Sequence, residues 1–201
     1  RCSVFGSAST RRALGAAGTI LMKAMTRVLG SVLGAVLLAG MTGCAPDLIK
    51  DYPFDGELSG TGHFTAEAQS DGTTLSFVDA TNKEGFVYVD LDKAEELSTG
   101  DALDKNTWEL SFQRFTITLN SGGGGLGNVE AAVLLNADFD SLTQAPAGGY
   151  RKDGSEGVFT AVEGGWYYYD LGKHKLTAKS ELLYVIHSTD DAYFKLQMVG
   201  Y

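Results

Sequence analysis

Between Trp108 and Asn128 the chain reads WELSFQRFTITLNSGGGGLGN. Trp108, Leu110 and Phe112 fall on one side of an extended backbone, and Phe115, Ile117 and Leu119 continue in the opposite phase. A period of two thus holds on both flanks of Gln113-Arg114 and slips once between them. The slip predicts a bulge, which bends a strand and lets one long strand serve two packed layers. Trp108 and Phe112 are expected to anchor the core. The glycine run after Ser121 lacks the Lys-Ser/Thr of a phosphate loop and leads into another alternating segment, so it reads as turn geometry.

The same period extends outward from this stretch. His63 to Ala68, Thr73 to Val78 and Val129 to Leu135 alternate apolar and polar residues, and Phe86 to Leu91 is apolar on both faces, as a central strand is. Trp166-Tyr167-Tyr168-Tyr169 and His174 to Ala178 are further short strands, with Leu171-Gly172-Lys173 between them as a turn. Leu182 to His187 and Tyr193 to Tyr201 form a hairpin around Ser188-Thr189-Asp190-Asp191. Helical turns are expected only at Ala94 to Leu97 and at Asp138 to Thr143. The chain has 26 glycines against three prolines, which suits many turns between strands. Residues 61–201 are therefore expected to be an all-β single domain of two packed, mostly antiparallel sheets with short helical turns.

Residues 1–43 contain five basic residues and no Asp or Glu, whereas the rest of the chain holds 11 basic and all 25 acidic residues. Lys23 and Arg27 precede the apolar run Val28 to Leu38, which ends in Ala39-Gly40-Met41-Thr42-Gly43 before Cys44. A charged start, a short apolar run and small residues before a cut site are the marks of a secretory signal. The run is too short for a membrane span of roughly 20 residues. The segment resembles a bacterial lipoprotein lipobox, with Met41 where Leu is usual, and the resemblance implies lipidation of Cys44. Ala45 rather than Asp follows the cysteine. The expected location is the outer membrane, anchored by lipid and facing the periplasm or the exterior. Residues 1–21 read as an overextended N-terminus, 22–43 as the signal peptide and 44–60 as a tether.

The motifs carry a family resemblance. Trp108-Glu109-Leu110-Ser111-Phe112-Gln113-Arg114, followed by Thr118-Leu119-Asn120-Ser121-Gly122-Gly123, resembles the signature W-D-[LI]-[AS]-F-x-R … T-N-[SG]-G of the HmuY family. Phe86 to Leu91, Trp166 to Tyr169, Leu183 to His187 and Tyr193 to Leu196 match in the same order, over roughly residues 73 to 201. The resemblance implies a secreted or lipid-anchored all-β domain. It also implies the activity of the best-known members, which take haem from host proteins and deliver it to an outer-membrane receptor.

Haem capture of that kind needs axial His or Met ligands and an apolar slot. The segment after Cys44 offers His63, His174, His187 and Met198. His174 is the leading candidate, with His187 or His63 as its partner; as a metal pair, His174 and His187 are named. Trp166, Tyr167, Tyr168 and Tyr169 supply a stacking wall in this reading, and Lys173 and Lys175 beside His174 suit the propionates. Each has a plainer reading as well: a half-buried strand histidine, an aromatic core strand, solvated turn lysines.

Other chemistry finds little footing. Asp90, Asp92, Asp138 and Asp140 form two D-x-D pairs without the rest of a calcium loop. No H-E-x-x-H or G-x-S-x-G occurs, and an enzyme is not expected. The acidic balance argues against nucleic acid as a partner. Two function classes remain: a lipid-anchored envelope binding protein taking haem, and a surface or periplasmic lipoprotein that contacts other proteins and holds no cofactor.

Overall fold

The computed structural model describes residues 19–26, 62–160 and 165–201. Its strands are β1 (Thr19–Thr26), β2 (Phe64–Ala68), β3 (Thr74–Asp79), β4 (Val87–Asp90), β5 (Glu95–Leu97), β6 (Leu110–Gln113), β7 (Thr116–Leu119), β8 (Glu130–Leu135), β9 (Tyr167–Asp170), β10 (Lys175–Ala178), β11 (Leu182–His187) and β12 (Tyr193–Gly200). Helix α1 (Thr99–Lys105) follows β5. A six-stranded sheet runs in the order β2-β3-β1-β12-β11-β8, and a four-stranded sheet in the order β5-β4-β6-β7. The β9–β10 hairpin stands as a small third sheet. All strand pairs are antiparallel. The all-β, two-sheet architecture expected from the alternation is the one observed.

Alternation explains which residues meet. Leu110, Phe112, Ile117 and Leu119 from the smaller sheet join Tyr184, Ile186, Phe194, Leu196 and Met198 from the larger one in a continuous buried cluster, which Phe159 and Trp166 complete. Burying each such side chain contributes roughly 1.5–3 kcal/mol, so this shared layer is what holds the two sheets together. Trp108 is 3% exposed and sets its ring edge-on to Tyr88, with centroids 5.0 Å apart.

The phase slip at Gln113-Arg114 is a turn and not a bulge. Gln113 pairs with Thr116 and Leu110 with Leu119, so β6 and β7 are the arms of one hairpin within one sheet. Across a two-residue turn the paired positions differ in parity, and the inward phase flips just as it does at a bulge. Arg114 adopts φ 54° there, without the Gly or Asn that normally signals such a turn.

The helical turn expected at Ala94 to Leu97 is also displaced. Glu95–Leu97 pairs with β4, and the helix begins after Ser98, whose hydroxyl accepts from the amide of Asp101 at 3.1 Å. Asn106 closes it in the left-handed region. His174, expected to open a strand, lies in the turn before β10 at φ 50°.

No strand is expected from the sequence over Thr19–Thr26, yet β1 lies between β3 and β12 and pairs with both. β3 and β12 each leave a row of backbone groups on that side, and an intervening strand satisfies both rows. Its Met22 is fully buried, and Lys23 reaches Asp71 at 3.5 Å and Asp140 at 3.3 Å. The remainder of the expected signal peptide, Cys44 and the tether lie outside the described residues.

Candidate functional site

One end of the molecule carries a cavity of about 810 Å³. Three loops build it. The β6–β7 turn supplies Arg114 and Phe115, the segment after β3 supplies Thr81 and Lys83, and the β9–β10 hairpin supplies Tyr167, Tyr169, Lys173, His174, Lys175 and Leu176. Tyr201, just past β12, completes the lining. Hydrogen bonds fix the loops to one another: the Arg114 amide donates to the Ala80 carbonyl at 2.6 Å, and the Gln113 side chain to the Lys83 carbonyl at 2.9 Å.

The cavity has an aromatic side and a cationic rim. Phe115 meets Tyr167 edge-on at 5.7 Å, and Trp166 lies wholly buried behind them, 5.2 Å from Tyr167 and 5.9 Å from Tyr201. The Trp166 indole N–H donates to the Phe115 carbonyl at 3.0 Å and so pins the hairpin turn over the aromatic floor. Burial pushes the Tyr201 phenol up, against the opposing pull of the Arg114 cation. Lys83, Arg114 and Lys175 make no ion pair among the described residues, and Lys173 makes only a loose one to Asp170 at 3.8 Å. A chain of net charge −9 thus gathers four cations around one opening. An apolar flat ring bearing carboxylates matches both halves of this lining, the ring against the aromatics and the acids against the cations.

His174 is the histidine of this cavity. Its Nδ1 lies 2.9 Å from the Tyr169 hydroxyl, with the two rings 6.3 Å apart. Asp170 shapes the turn by accepting from the amides of Gly172 at 2.9 Å and Lys173 at 3.1 Å. In the tautomer with the proton on Nδ1, the imidazole donates to the tyrosine oxygen and leaves the Nε2 lone pair for a metal. The lysines flanking His174 both line the cavity.

The other residues singled out from the sequence lie elsewhere. His187 ends β11, stacked on Tyr193 with centroids 4.3 Å apart and planes 2° from parallel, and its Nε2 is 2.9 Å from Asp191. His63 precedes β2 and places Nδ1 3.0 Å from Glu96, which also accepts the amides of His63 and Phe64. Trp166 is under the floor rather than on it. Tyr168 points to the opposite side of β9 from Tyr167 and Tyr169, bonds Glu181 and carries the Lys179 ammonium 4.9 Å over its ring. Met198 is 1% exposed within the core.

The D-x-D pairs separate. Asp90 and Asp92 lie together with Glu109, their carboxylate oxygens within 4.8 Å of one another. Asp90 bonds the Lys93 ammonium at 2.6 Å, and Glu109 accepts the Leu91 amide at 2.7 Å. Burial first, and then the nearby carboxylates of Asp90 and Asp92, push the Glu109 carboxyl up to about 8. Asp138 accepts the Ser141 amide at 2.7 Å as a turn cap, and Asp140 serves Lys23. The glycine run packs around Asp153: its carboxylate accepts the amides of Leu119 at 2.7 Å and Val158 at 2.6 Å, and Gly123 donates to its carbonyl at 3.0 Å.

Sequence reading reached His174, Tyr167, Tyr169, Lys173 and Lys175 but not Arg114, Phe115, Tyr201, Lys83 or Thr81 as site residues. The one available signal was the phase slip, since a turn leaves its two central side chains outside both faces of the sheet. Compared with known families, residues 82–201 match the family model described as HmuY protein. No curated protein matches the chain.

Proposed function

The chain belongs to the HmuY family, and from that premise we propose that it is a cell-envelope binding protein whose cavity at the β9–β10 hairpin takes haem. The observation that carries the reading is the coincidence, in one cavity, of an imidazole, an aromatic side and a cationic rim. Bound haem supplies an iron that accepts axial side-chain ligands. His174 offers Nε2, Tyr169 orients the ring, and Tyr167, Phe115 and Leu176 exclude water from the macrocycle. Arg114, Lys83, Lys173 and Lys175 receive the propionates. Each pairing is strengthened by its partial removal from water.

Lipidation at Cys44 and residence on the outer membrane belong to the same proposal, and rest on the basic, apolar and small-residue succession before Cys44; cleavage there would also remove β1 from between β3 and β12. An outer-membrane receptor is the corresponding partner. Titrating the protein with hemin tests the ligand: a saturable, sharpened and shifted Soret band is expected, and it is expected to weaken in His174→Gly. A spectrum that stays that of free hemin throughout the titration sinks the haem reading.

A further inference from the structure

Resting on that reading, we infer that, among the described residues, His174 is the one side chain committed to the iron, so that one axial position stays open to water or a small added ligand. Paired axial ligands require two donor atoms on opposite sides of one ring, and the fold keeps the other candidates away.

His187 pairs with Tyr193 at the start of β12, whereas Tyr201 lines the cavity beyond that strand's far end. Eight residues of extended chain separate the two positions by about 26 Å. The His187 ring is further held between Tyr193 and Tyr150 and by Asp191. His63 stands at the same end of the larger sheet as Tyr201, since the Asp79 amide bonds its carbonyl at 2.7 Å. It lies just before the outermost strand, however, and its Nδ1 is engaged by Glu96. Met198 is sealed in the core opposite Met22.

The tyrosines of the lining do not fill the gap. Tyr169 is committed to His174, and ligation by Tyr201 needs the phenolate, which its burial disfavours. Among the described residues the cavity therefore presents one nitrogen donor of suitable charge. Its orienting hydrogen bond is the outer-shell contact that metal-bound imidazoles use to fix their tautomer.

Electron paramagnetic resonance and absorption spectra of the ferric hemin complex test this. The expected result is a high-spin spectrum that imidazole converts saturably to a low-spin one. His63→Ala and His187→Ala are expected to leave the spectrum and the affinity unchanged. His174→Gly suits its φ of 50° and keeps the turn, so it separates loss of the ligand from loss of fold. In that variant hemin binding is expected to weaken about tenfold or more, and its affinity to be recovered when imidazole is added. A low-spin complex of the wild-type protein without added imidazole, lost in His63→Ala or His187→Ala, overturns the inference while leaving haem as the ligand. Hemin that never saturates the wild-type protein overturns both.

Discussion

The Tyr169 hydroxyl lies 2.9 Å from Nδ1 of His174, five residues away across the turn of one hairpin. Both residues line the cavity, so the hairpin carries an imidazole together with the group that orients it. Removing the hydroxyl in Tyr169→Phe keeps the aromatic wall but releases the ring. Hemin affinity is expected to fall roughly 10- to 100-fold, the usual effect of losing such an orienting partner. The thermal midpoint is expected to move little, because the bond is exposed. Parallel titration and melting curves measure the two effects.

Arg114 couples a backbone constraint to a charge. A non-glycine residue in the left-handed region costs about 1–2 kcal/mol, and Arg114 adopts φ 54° in the β6–β7 turn. Arg114→Gly removes that strain while adding flexibility to the unfolded chain, so stability is expected to change by less than about 1 kcal/mol. Hemin affinity is expected to fall several-fold, with a smaller loss at high salt where exposed charges are screened. Arg114→Lys should recover most of the affinity and none of the turn's relief. Denaturant curves and hemin titrations at two ionic strengths distinguish these contributions.

Stability is expected to fall as pH rises from about 5 to about 8. The Glu109 carboxyl, raised to about 8 in the folded protein from an ordinary value of 4.5, stays protonated over a range where the unfolded chain has released its proton. The folded state therefore binds more protons. Its advantage is complete below the unfolded value and is lost as pH passes through the folded one, at up to about 1.4 kcal/mol per pH unit. Glu109→Gln removes this slope. Denaturant unfolding across that pH range measures it, and equal slopes in the two proteins contradict the assignment.

The extent of what the sequence disclosed differs between scaffold and site, for a physical reason. Strand existence follows from alternation over four or more residues, which made β3, β8 and β12 legible, while β4 was legible as a run apolar on both faces and β11 as the first arm of a hairpin. Alternation does not say whether a phase slip is a bulge or a two-residue turn, because both change the parity of the inward residues. That ambiguity hid Arg114 and Phe115. His174 could be named from its chemistry, but its neighbours Lys83 and Tyr201 come from loops and strand ends brought together only by the tertiary fold. β1 was invisible because Ile20-Leu21-Met22 merges into a longer apolar, basic segment that carries the marks of a leader.

Gly122 and Gly72 offer a paired test of crowding against conformation. Both have positive φ, but a Cβ on Gly122 would sit 1.8 Å from the Asp153 carbonyl oxygen, whereas one on Gly72 meets nothing within 4 Å. Gly72→Ala is expected to cost about 1 kcal/mol through backbone strain alone. Gly122→Ala must also push the Asp153 segment away from Leu119 and Val158, and a loss of more than about 3 kcal/mol is expected. Comparable losses for the two variants in urea unfolding would contradict the role given to Asp153.

The placement of β1 between β3 and β12 also orders events in time. In the uncleaved chain the central pairing of the larger sheet, β1 with β12, joins the first described strand to the last, so it forms only once the whole intervening chain is in place, whereas β1 can meet β3 earlier. Hairpins such as β6–β7 and β11–β12 close short loops and are available early, while the seam through Met22 and Met198 is among the slowest contacts to be made. During synthesis that seam has no counterpart until β12 has emerged. The middle of the sheet is thus completed last, and its folding rate rests on the pair of described strands farthest apart along the chain.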